Sequence, residues 1–115
     1  MNMETCVIEG GLIVRPLESR LDAAGAVQFK DAIRNLIPLA PDRLILDLTN
    51  VTFLDSSGLG AVVAVMKLLG PAKRLELANL NPPVAKVFAL TRMDQVFTIH
   101  TDLHTPSLVD ARHAS

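Results

Sequence analysis

The chain has no tryptophan, no tyrosine and only four phenylalanines among its 115 residues. Single-stranded nucleic acids are held by stacking bases on aromatic side chains, and that platform is missing. Charge of one sign is scarce as well. Eleven Lys and Arg stand against twelve Asp and Glu, for a formal net charge of −1. The nearest approach to a basic cluster, Lys67 with Lys73 and Arg74, straddles a helix end and a turn. No basic face is therefore built for a polyanion, and direct nucleic-acid binding is excluded. Cys6 is the one cysteine, which rules out an intrachain disulfide and a cysteine-based metal cluster and fits a reducing compartment. No basic stretch followed by an apolar run opens the chain, so no signal peptide is expected. The longest apolar stretch, Leu59 to Met66, is too short to span a bilayer. These absences predict a cytoplasmic protein with no membrane partner.

What is present is an aliphatic composition: half of the residues are apolar, so the core must be built from Leu, Val, Ile and Ala. The length suits one domain that folds without staples. We read it as a single α/β domain over residues 1–115, with a core from about 3 to 100 and a C-terminal helix or tail over 101–115.

Thr5 to Glu9 and Leu12 to Arg15 are β-prone runs on either side of Gly10-Gly11, a pair suited to a tight turn, which predicts an opening β-hairpin. Ala26, Phe29, Ile33 and Leu36 recur at helical spacing, with Asp22 as the expected N-cap and Pro38 as the stop. Leu44-Ile45-Leu46-Asp47-Leu48 is apolar at nearly every position, the pattern of a central strand covered on both faces. A helix over Leu59 to Leu69 ends at Gly70-Pro71. A strand over Arg74 to Leu77 follows, then a helix capped by Asn81 with Pro82 in its first turn. A last strand over Val96 to Ile99 and a closing helix from Leu103 to about Arg112 complete the series. Strands alternating with helices predict a mostly parallel sheet with about four helices.

One turn stands apart: Phe53-Leu54-Asp55-Ser56-Ser57-Gly58-Leu59-Gly60 follows a strand and opens a helix. Loops at the carboxyl ends of parallel strands are where ligands and partners are met. Ser56 and Ser57 can cap free N–H groups of the first turn. Gly58 and Gly60 leave room for another backbone or a phosphate, and the helix N-terminus favours negative charge. The helix that follows carries no polar residue between Gly60 and Lys67. A helix apolar all round is buried or meets a partner, which points to an apolar docking surface beside the serines.

Here the sequence resembles a known family, the STAS-domain anti-sigma factor antagonists. The resemblance rests on Leu44 to Leu48, on Asp55-Ser56-Ser57-Gly58-Leu59-Gly60, on Leu75 to Leu77, on Pro83 to Phe88 and on Thr91-Arg92-Met93. It implies a STAS-type fold, no catalytic residues and no cofactor. It further implies a partner switch in which the unphosphorylated protein binds a GHKL-type anti-sigma serine kinase and so frees that kinase's target. The kinase would phosphorylate Ser56, the first serine of the motif, and end the binding; a PP2C-type serine phosphatase would reset it. Asp22, Asp55, Ser57, Gly58, Leu59, Gly60, Val62 and Val63 are the partner-contact residues the resemblance and the apolar helix suggest. The chain departs from the family over Glu18-Ser19-Arg20-Leu21-Asp22, where members commonly carry a glycine before the Leu-Asp pair. Ser19 and Arg20 would then alter which kinase is recognised. The alternative is a STAS interaction module that works without phosphorylation.

Other chemistries fit poorly. Gly58-Leu59-Gly60 lacks the third glycine of a dinucleotide fingerprint, where Val63 stands. Neither serine sits in the Gly-x-Ser-x-Gly frame of a hydrolase elbow. His100 and His104 have the spacing of a metal pair but no third ligand, so no metal site is expected.

Overall fold

The computed structural model describes residues 1–101, so the expected closing helix from Leu103 lies outside the described residues. The chain opens with β1 (Met3–Ile8) and β2 (Gly11–Pro16), paired antiparallel with Ile8 opposite Gly11. The connecting turn is therefore Glu9-Gly10, one residue earlier than the glycine pair suggested. Gly10 supplies the left-handed backbone at φ +75°, while Gly11 is buried in the strand, pressed against Arg43.

There follow β3 (Arg20–Leu21), α1 (Ala26–Leu36) with a 3-10 turn at Ile37–Leu39, β4 (Arg43–Asp47), β5 (Phe53–Leu54) and α2 (Ser56–Leu69). The chain continues through β6 (Arg74–Ala78), α3 (Pro82–Leu90), a 3-10 turn at Met93–Gln95 and β7 (Thr98–His100). The main sheet runs β1-β2-β4-β6-β7, parallel everywhere except between β1 and β2, and β3 pairs with β5 as a short parallel ribbon of its own. The described residues thus carry three α-helices. The last strand starts later than its sequence suggested. The N–H groups of Val96 and Phe97 both turn back to the Met93 carbonyl, and the Phe97 ring packs edge-on against Phe88 with centroids 6.0 Å apart.

Period-two alternation sorts the strands into two faces. Leu12 and Val14 of β2, Leu44 and Leu46 of β4, and Leu75 and Leu77 of β6 point to one side. There they meet Phe29 and Ile33 of α1, Val62 and Val65 of α2, and Val84 and Phe88 of α3 in one core. The strand expected to be covered on both faces, β4, is buried along Leu44 to Asp47 on both sides, and among the described residues the helices pack on one of them. The other face holds a small cluster of Cys6, Ile13, Ile45 and Ala78, with two buried carboxylates, Asp47 and Glu76, on the same side of the sheet.

Asp47 is fully buried and accepts from Arg15 Nε at 3.1 Å, from the Thr49 N–H at 3.0 Å and from Asn79 Nδ2 at 3.1 Å. Glu76 is 4% exposed and receives Arg43 at 2.8 Å, Arg74 at 3.6 Å and His100 Nε2 at 2.7 Å. The apolar run at Leu44 to Leu48 concealed the first of these, because a buried carboxylate that accepts several N–H groups loses little on leaving water.

Burial raises the Glu76 pKa, but hydrogen bonds and charge from Arg43 and His100 outweigh it, and the group titrates below its ordinary value of 4.5. A folded pKa below the unfolded one adds stability above the unfolded value, lost as pH falls through the folded value. The variant Glu76→Gln is accordingly expected to lose about 2 kcal/mol at pH 7. Its deficit against wild type should shrink below pH 4.5, as read from urea midpoints at neutral and acid pH; a deficit independent of pH would contradict the assignment.

Candidate functional site

The site is assembled where β3, β5 and the start of α2 meet. β5 lies parallel to β3 with Arg20 opposite Phe53 and Leu21 opposite Leu54. Ser19 and Leu21 carbonyls accept from Thr52, Phe53 and Asp55 N–H groups at 2.8, 3.2 and 3.3 Å. From the other side, Asn81 Nδ2 donates to the Thr49 carbonyl at 2.9 Å and to the Val51 carbonyl at 2.8 Å. Asn81 occupies the cap position of α3, with Pro82 next, but its side chain makes no cap hydrogen bond there. It is spent instead on holding the loop that feeds β5.

The cap of α2 is Asp55, not a serine. Its backbone is extended (φ −101°, ψ −172°), as a cap residue requires, and Asp55 Oδ1 accepts from the Gly58 N–H at 2.9 Å. The Leu59 N–H then bonds the Asp55 carbonyl at 2.9 Å and closes the first turn. Ser56 and Ser57 become the first two helical residues, both exposed. Their hydroxyls are released from the structural duty that the sequence had suggested for them.

Gly58 is buried, and a Cβ there would overlap the carbonyl of Leu21. The missing side chain admits a backbone, as expected, but that backbone is the protein's own. Gly60 is exposed, with nothing near its missing Cβ. Val62 is fully buried, which corrects its expected place among the partner contacts: both it and Gly58 position the helix from beneath. Leu59 and Val63 are partly buried against the core and keep part of their surface outside.

The apolar docking surface is narrower than the sequence of α2 suggested, because Ala61, Val62, Val65 and Leu69 all turn inward. What remains beside the serines is a shallow groove of about 190 Å³ between α1 and α2, lined by Ala26, Val27, Lys30, Ser57, Gly60 and Ala64 among others. Val27 is 63% exposed. The sequence pattern assigns Ala26 to the core stripe and Lys30 to the opposite side of α1, with nothing to place them or Val27 beside the serines. Their place beside the serines arises from the packing of α1 on α2.

Asp22 was expected to cap α1, but the helix starts at Ala26 behind Gly25, with no side-chain cap. The Asp22 carbonyl accepts from Gly25 and Ala26 N–H groups at 3.0 and 2.9 Å, so a turn separates it from the helix. Its carboxylate receives Arg20 Nε at 3.2 Å. That hydrogen bond, with backbone ones from Gly25 and Ala24, holds the carboxyl below its ordinary range. Arg20 also lies 4.0 Å above the Phe53 ring. The Arg-Phe pairing had no signature in the sequence, since it depends on the register of the short ribbon.

His100, the described half of the suggested metal pair, points its Nε2 at Glu76 on the far face of the sheet. No helix among the described residues is long and apolar enough to cross a membrane.

Residues 2–105 match the STAS domain, and the chain belongs to that family. It is 32% identical over 92 residues to a STAS-domain containing protein of Pseudomonas aeruginosa, covering 79% of this chain and 90% of that one. It is 24% identical over 100 residues to the anti-sigma-F factor antagonist RsfB of Mycobacterium tuberculosis, covering 87% and 82%. Among solved structures, the Bacillus cell fate determinant SpoIIAA in its phosphorylated form superposes with a TM-score of 0.62 at 26% identity, over 88% of this chain and 93% of that one.

The two glycines of the motif should respond oppositely to the same substitution. Gly58→Ala must displace the Leu21 backbone and is expected to cost about 2 kcal/mol or more. Gly60→Ala should be neutral or stabilising by up to about 1 kcal/mol. Urea unfolding of the two variants checks this, and equal effects would contradict the placement of Gly58.

Proposed function

We propose that the chain is a cytoplasmic anti-sigma factor antagonist that works as a binding module in a partner switch, with Ser56 as the switching residue. The observation that carries the reading is the division of labour at the start of α2. Asp55 makes the cap hydrogen bond, which leaves the Ser56 hydroxyl exposed at the first helical position. In its unphosphorylated form the protein binds a GHKL-type anti-sigma serine kinase and frees that kinase's target. The contact surface comprises Ser57, Leu59, Gly60 and Val63 on α2, Asp22 and Asp55 at its rim, and the groove shared with α1.

Phosphorylation is a transfer from ATP. The Ser56 Oγ–P bond forms as the bond between the γ-phosphorus and the bridging oxygen breaks. ADP leaves with that electron pair, and the hydroxyl proton passes to a base of the kinase. The product carries roughly −1.5 to −2 added charges at neutral pH. Docking would bury that charge beside Asp55 and an apolar helix face, where desolvation and like-charge repulsion cost several kcal/mol. The complex therefore dissociates without any change of fold. A PP2C-type phosphatase restores the hydroxyl by hydrolysis.

Intact-mass spectrometry after incubation with ATP and the serine kinases of the same organism tests the assignment. One added phosphate is expected, absent in Ser56→Ala and retained in Ser57→Ala. An unchanged mass with every kinase would overturn it in favour of a STAS interaction module that works without phosphorylation.

A further inference from the structure

We propose that Arg20 is the internal receptor for the phosphate on Ser56, exchanging its ion pair with Asp22 for one with the phosphoserine; this rests on the phosphoswitch reading above. Arg20 stands on β3 opposite Phe53, and Ser56 follows Phe53 by three residues on the adjoining segment. The guanidinium is held on the outer side of this ribbon by the Phe53 ring at 4.0 Å and by Asp22 Oδ2 at 3.2 Å. Its side chain is 59% exposed, and among the described residues the Asp22 contact and the ring hold it.

The charged groups around this corner are mostly acidic. Glu18 and Asp22 line the same pocket as Arg20, and Asp55 precedes Ser56 directly. Lys30 lies on the other side, in the groove with Ser57. A phosphate set among carboxylates needs a cation. Arg20 already serves an oxyanion here, and its hydrogen bond is the main influence that lowers the Asp22 pKa. A dianionic phosphate has more charge and more acceptor oxygens than one carboxylate, and an arginine fork suits it. Backbone hydrogen bonding from Gly25 and Ala24 lowers the Asp22 pKa independently of Arg20. The exchange draws Arg20 off the Phe53 ring, so phosphorylation also remodels the rim of the docking surface. It gives Arg20, which stands where the sequence departs from its family, a specific role in the off state.

Phosphoserine installed at position 56 during translation, in wild type and in Arg20→Gln, allows the test without any kinase. The pH titration of the ³¹P resonance reads the second ionisation of the phosphate. At low salt the wild-type midpoint should lie about half a pH unit below that of the variant, because a nearby cation favours the dianion. The gap should narrow in 1 M salt as screening sets in. Arg20→Lys should recover part of the gap by charge alone, and matching amide spectra away from the ribbon establish that the variants are folded. Equal midpoints in wild type and Arg20→Gln would overturn the proposal. Because the phosphoserine is installed during translation, that result stands apart from the kinase experiment, whose failure would instead remove the phosphoswitch itself.

Discussion

The contact on which the site depends is between two stretches of backbone, at Gly58 and Leu21. Any side chain at Gly58 would occupy the space of the Leu21 carbonyl. That carbonyl is also engaged by the Asp55 N–H. The start of α2 is thereby seated directly on β3. The fully buried side chains of Leu21 and Val62 fill the volume around the contact. A methyl group at this point would lift the first turn off the ribbon and move Ser56 and Ser57 with it. Close packing makes such a displacement costly, since interiors hold few voids to absorb it.

Seating the helix in this way separates structural work from signalling work. Asp55 satisfies an otherwise unpaired N–H group of the first turn, and the loop before β5 is held by Asn81 and by the Ser19 carbonyl. The exposed serine hydroxyls can then change their charge without removing a hydrogen bond that the fold needs. The helix N-terminus tolerates an added anion, so the proposed phosphorylation would act on association and leave folding intact. Buried carboxylates on the far face, Asp47 and Glu76, stabilise the sheet at a distance from this chemistry.

Much of this was legible in the residues. The hairpin, the parallel series of strands and the helix opened by Asp55 to Gly58 follow from turn chemistry and apolar periodicity, because both are local. Non-local geometry was hidden. The ribbon of β3 and β5 has too few residues to show an alternation, and with it went the Arg20-Phe53 stack and the true meaning of Gly58. Asp22 and Ser57 are chemically good caps, and a local rule assigned them that role. Tertiary placement moved the cap of α2 to Asp55 and left Asp22 one turn short of α1. The continuous apolar run of α2 also overstated its free surface, since a small core takes most of that helix inward.

The central claim is that a charge on Ser56 controls association while the fold stays the same. The most direct measurement is equilibrium binding of the proposed GHKL-type kinase partner to the unphosphorylated and the Ser56-phosphorylated protein, side by side in one buffer by calorimetry. The account expects the phosphorylated form to bind about a hundredfold or more weakly, as burying a dianion against Asp55 requires. Equal affinities for the two forms would contradict it.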